Sequence, residues 1–90
     1  ERRARAEVRA ALAERDAARA GFAAAESALA QASQATRAAG SRYAEGAAVV
    51  TELLAIRAAE SSQRLARLQA LYQARVADAA LVLAQGGTPR

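Results

Sequence analysis

The chain contains no cysteine, histidine, methionine or tryptophan. Their absence removes disulfides, thiolate and imidazole metal ligands, and the usual catalytic bases. Neither an enzyme nor a bound cofactor or metal is expected. Proline occurs once, at Pro89, so no proline interrupts a helix before the C-terminal tail. The aromatic residues are Phe22, Tyr43 and Tyr72. A stacking surface for single-stranded nucleic acid needs aromatics interleaved with basic residues, and these three provide none. No stretch of about 18 apolar residues could span a bilayer as a helix, and no charged n-region precedes an apolar run as in a signal peptide.

What the chain does have is alanine, 30 of its 90 residues. Leu, Ile, Val, Phe and Tyr together number 18, so the 53% hydrophobic content overstates the material available for a core. One domain at most is expected, and it should need neighbours to bury enough surface. The net charge is +4, and all 13 basic residues are arginine. They are scattered among Glu and Asp, with Glu1/Arg5 and Glu60/Arg64 at the spacing of helix-stabilising pairs. This pattern reads as a solvated helix face, and no nucleic-acid partner is expected.

Ala, Arg, Glu and Gln run almost unbroken from Glu1 to Ala39 and again from Glu52 to Gln85, compositions of high helix propensity. Gly46 lies between these arms and can take a left-handed conformation without a Cβ penalty, which ends one helix and lets the chain reverse. The expected fold is all-α: a long antiparallel helical hairpin of the coiled-coil kind. Its helices should cover about 2–44 and 50–85, with a tip at 45–49 and a tail at 86–90. Gly86-Gly87-Thr88-Pro89 stops the second helix. Gly21 reads as a tolerated glycine or a site of close helix approach. Gly40-Ser41 either loosens the last turn before the tip or ends the first helix early.

The first arm carries a seven-residue pattern. Val8, Arg15, Phe22, Leu29, Thr36 and Tyr43 share one position, and Ala11, Ala18, Ala25, Ala32, Ala39 and Gly46 share the position three later. This is a seam in which small residues admit a close neighbour, with Arg15 and Thr36 as its imperfections. In the second arm, Leu54, Leu65 and Val76 are eleven residues apart, as are Ser61, Tyr72 and Leu83, with Ala58, Leu68 and Ala79 on the same face. Eleven-residue spacing gives little left-handed supercoil, as a wide tube of helices would need. The same residues could equally be the hairpin's own core contacts. Val49 and Val50 place apolar surface at an exposed turn, a mark of docking surfaces.

The spacing of Tyr43, Gly46 and Glu52-Leu53-Leu54 resembles the hairpin tip of TolC-type outer membrane efflux proteins. Glu7-Val8-Arg9-Ala10-Ala11 and Ala77-Asp78-Ala79-Ala80-Leu81-Val82-Leu83-Ala84-Gln85-Gly86 resemble the approaching and returning helices of that family. The resemblance implies that the chain is a segment of a larger α-helical barrel, with a signal peptide and membrane β-strands lying outside it. It implies a homotrimer, each protein contributing two hairpins, in the outer membrane with this segment in the periplasm. Partners would be a periplasmic adaptor and an inner membrane pump, in efflux or type I secretion. The adaptor-docking tip would comprise Gly46, Ala47, Val49 and Val50, and Tyr43 would match the tyrosine near the constricted periplasmic gate. Family tips usually carry Ser or Thr three residues after the glycine and an acid three further on, a capping box. Here Glu52 is present but Val49 replaces the hydroxyl. Ala48 stands where some members carry a basic residue, so a gate-locking ion pair from that position is not implied. Two other readings remain open at this point. One is the adaptor's own α-hairpin, whose Arg-x-x-x-Leu-x-x-x-Ser tip pattern is missing here; the other is an unrelated self-associating coiled coil.

Overall fold

A computed structural model describes residues 2–86. Glu1, with the expected Glu1/Arg5 pair, and Gly87, Thr88 and Pro89 of the expected helix stop lie outside the described residues. Two helices account for the fold: α1, Arg2–Ala44, and α2, Val50–Ala84. No strand occurs among the described residues, and the chain is an all-α helical hairpin.

The reversal between the helices is closed by the backbone itself. Gly46 has φ +77°; its N–H donates to the Tyr43 carbonyl at 3.0 Å, and the Ala47 N–H donates to the Arg42 carbonyl at 2.7 Å. This pair of bonds uses carbonyls that the last turn of α1 would otherwise leave unsatisfied, and it requires a residue that tolerates the left-handed region. Gly86 repeats the device at the end of α2, with φ +81° and its N–H on the Leu83 carbonyl at 3.0 Å. The helix therefore finishes at Ala84, one residue before the expected Gln85. Gly21 and Gly40 both lie within α1, and a Cβ at either would meet nothing within 4 Å. Within this chain neither glycine makes room for the other helix, and Gly40-Ser41 does not end α1.

The chain divides into two compact units. The tip unit is Ala24–Leu68; the base unit combines the described parts of Glu1–Ala23 and Gln69–Arg90. In the tip unit, α1 turns Ala25, Leu29, Ala32, Thr36 and Ala39 inward, and α2 turns Leu53, Ile56, Glu60, Gln63 and Arg67 inward, all buried or half-buried. In the base unit the inward residues are Val8, Ala11, Arg15, Ala18 and Phe22 of α1 and Ala70, Ala74, Ala77, Leu81 and Ala84 of α2. The seven-residue seam read from α1 is thus its inward face from Val8 to Ala39. It does not extend to Tyr43 and Gly46, which are exposed.

The eleven-residue set of α2 is a correction. Leu54, Ser61, Leu65, Leu68, Tyr72, Val76, Ala58, Ala79 and Leu83 are all exposed, so they are not the hairpin's core contacts. The seam of α2 follows seven-residue spacing instead. The inward positions of α2 hold Leu53, Ile56 and Leu81 together with alanines and polar stems, while its other large apolar side chains are mostly exposed. The most buried residues are Ala11, Ala39, Leu53, Ala74, Ala77 and Leu81. Burial of a leucine is worth about 1.5–3 kcal/mol, and an alanine contributes far less area, so this interior is a weak source of stability.

Candidate functional site

Gly46, Ala47, Val49 and Val50 come together as the turn, and all are exposed; Val49 is 64% exposed. The Val49 carbonyl accepts the first helical bond of α2, from the Leu53 N–H at 3.2 Å, so Val49 is the N-cap residue. Its side chain cannot accept a bond from the free N–H groups of the first turn. Glu52, the acidic half of a capping box, turns across the reversal instead. Its Oε1 accepts from Arg42 at 3.2 Å, and the other terminal nitrogen of Arg42 donates to the Ala47 carbonyl at 3.4 Å. Arg42 thereby ties the end of α1 to both the turn and the start of α2. Sequence reasoning missed it, because a pair ten residues apart has no local signature until the turn is known. Tyr43, the gate candidate, lies on the last turn of α1 and is 46% exposed, with its backbone carbonyl engaged by Gly46.

Deeper in the tip unit a polar group is held between the helices. The Ser33 hydroxyl donates to Glu60 Oε2 at 2.7 Å, and Arg64 donates to the same oxygen at 3.2 Å. The Glu60 side chain is only 12% exposed. The Ser33 hydrogen bond holds its carboxyl below the usual glutamate range against an opposing desolvation effect, with smaller contributions from Thr36, Arg64 and Arg37. The Thr36 hydroxyl hydrogen-bonds the Ala32 carbonyl at 3.1 Å, and its single proton cannot serve both acceptors, so Ser33 is the principal donor. Arg67 pairs across the seam with Glu26 at 3.3 Å. In the base unit Arg19 pairs with Asp78 at 3.3 Å, and the half-buried Arg15 reaches only the adjacent Asp16 at 3.4 Å. The buried Nε of Arg15 has no partner among the described residues, which makes arginine costly at this seam position.

The other prominent surface is the outer side of α2. In the tip unit it carries Val50, Leu54, Leu65 and Leu68, and in the base unit Tyr72, Val76 and Leu83, with Leu68 at 58% and Tyr72 at 71% exposure. At about 100° per residue, Leu65 in the tip unit and Tyr72 in the base unit each lie about opposite the local seam. An α-helix in a two-helix structure ordinarily puts such residues on its covered stripe. Here α2 in each unit also carries large apolar side chains turned away from α1.

Among the described residues no cluster of acidic, cysteine or histidine side chains is arranged to hold a metal, and no helix is long and apolar enough to cross a membrane. No family model matches the chain, and no curated protein or solved structure matches it.

Proposed function

We propose that the chain is a periplasmic wall hairpin of a TolC-like outer membrane channel, working with an adaptor and an inner membrane pump in efflux or type I secretion. The observation that carries the reading is the exposed apolar side of α2. A helix that turns leucines and a tyrosine away from its own partner suits a layer, in which each helix has a neighbour on both sides. The tip supports the second half of the reading: Val49 and Val50 form an exposed apolar turn beside a glycine with open space around it. By the family resemblance, this turn docks the adaptor, and trimers of the full-length protein build the tunnel.

Two substitutions in the full-length protein separate wall from tip. Leu65→Arg is expected to reduce trimer formation, because it puts a charge where a neighbouring helix packs. Gly46→Trp is expected to leave trimers and membrane insertion intact, abolish export, and remove adaptor crosslinking at Val49 and Val50. Val49→Ser controls for a damaged turn, since it supplies the missing N-cap oxygen and should stabilise α2 by roughly 0.5–2 kcal/mol. Normal export by Gly46→Trp, with adaptor crosslinking at the tip unchanged, would show that Gly46 is a turn residue and that docking occurs elsewhere.

A further inference from the structure

The apolar contacts of the tip unit define its alignment poorly. Ala25, Ala32 and Ala39 repeat at seven-residue intervals on the inward face of α1. Sliding α2 by one heptad replaces alanine with alanine along that row. The sequence also permits the loop that such a slide needs. Packing within this chain does not require glycine at Gly40, because a Cβ there would meet nothing within 4 Å. A helix that ended at Gly40 would leave a longer loop reaching Gly46, and the helices would realign by about seven residues.

The polar contacts do not repeat. In the observed alignment Ser33 meets Glu60 at 2.7 Å and Glu26 meets Arg67 at 3.3 Å. Slipped one heptad toward the Gly40 loop, Glu60 loses Ser33 and faces Glu26, leaving a half-buried carboxylate opposite a like charge. Slipped one heptad the other way, Glu60 faces Gly40 and again loses its donor. A partly buried carboxylate without a partner is costly in proportion to its burial, whereas a well-matched polar group rewards a single register. We propose that the Ser33–Glu60 and Glu26–Arg67 contacts are the alignment lock of the tip unit, selecting the short turn at Gly46 over a slipped hairpin that opens at Gly40. The inference is independent of what the tip docks against.

Cysteine pairs in the 90-residue chain test it, with disulfides scored in the monomer fraction at high dilution. Ala39→Cys with Leu53→Cys reports the observed alignment, and Ala32→Cys with Leu53→Cys reports the one-heptad slip. Both pairs share the same change at Leu53, so their ratio cancels its effect on stability. With the polar contacts intact, the first pair is expected to dominate. Glu60→Leu, which removes the carboxylate and supplies apolar volume that favours folding, should raise the slipped-to-observed ratio at least tenfold. Ser33→Ala, which changes little volume, should raise it in the same direction. Adding Gly40→Ala to either should return the ratio toward its starting value by disfavouring the long loop. Glu26→Arg or Arg67→Glu alone should raise the ratio, and the two together should bring it below the Glu26→Arg value without restoring the start, because Glu26→Arg also gives Glu60 an opposite charge to face in the slipped alignment. A ratio within twofold of the starting value in both Glu60→Leu and Ser33→Ala would overturn the proposal, leaving the turn alone to set the alignment.

Discussion

Two glycines with the same open surroundings have opposite consequences for substitution, and backbone angle decides which. Gly46 has φ +77° and open space where a Cβ would stand, so alanine there suffers only the left-handed strain, about 1–2 kcal/mol. Gly21 is exposed in the interior of α1 with no positive φ, so alanine there should add about 0.5–1 kcal/mol by restricting the unfolded chain and favouring helix. Urea unfolding followed by circular dichroism is expected to move the midpoint down for Gly46→Ala and up for Gly21→Ala. A fall for both would mean that Gly21 has a packing role. Arg42 belongs to the same scale. Its bonds to Glu52 and the Ala47 carbonyl are exposed and worth little as stability, at most about 1 kcal/mol. Their importance is positional, since they join the two sides of a turn whose N-cap residue cannot cap.

Along the helices, the polar group around Glu60 makes the hairpin sensitive to acid. Its carboxyl titrates below the usual glutamate range in the folded chain, mainly because Ser33 donates to the charged form. A depressed value stabilises the fold above the unfolded-state pKa, about 4.3, and that contribution disappears as pH falls through the lower folded value. Denaturation midpoints measured from pH 6 downward should therefore drop below about pH 4.5, and Glu60→Gln should reduce the drop. An identical drop in the variant would assign the acid sensitivity to other carboxylates. These helices also show how far the sequence could be read. The extents of α1 and α2 and the seam of α1 were legible, because alanine-rich composition, a left-handed glycine and an unbroken alanine row are local signals. The seam of α2 was not. Its largest apolar residues announce the wrong face, and the true inward face carries Glu60, Gln63 and Arg67. Periodicity reveals that a face is apolar, and only the partner helix shows which of two faces it covers. At the tip, the turn residues were legible, while Arg42 depended on a contact made after the chain reverses.

At the scale of the whole chain, an interior whose most buried residues are four alanines and two leucines should not hold the fold firmly on its own. Large apolar side chains remain on the outer side of α2 in both units. Association of chains through that side would make the melting temperature rise with protein concentration. Thermal melts over a hundredfold range of concentration should show this rise, and Leu65→Gln with Tyr72→Gln should suppress it while leaving the helical signal at low temperature. A cooperative melt that ignores concentration would mean that the interior is stronger than its composition indicates. The uncovered side of α2 also sets an order of events during biosynthesis. Closing a hairpin needs only one chain and proceeds within microseconds to milliseconds, whereas meeting other subunits takes milliseconds to minutes and slows as they become scarce. Under the proposed assembly, a newly made copy would expose those leucines to water until a neighbour covered them. During that interval it would be open to holding chaperones and to mispairing, so in such an assembly the rate of synthesis, as much as the final stability, would govern the yield of assembled copies.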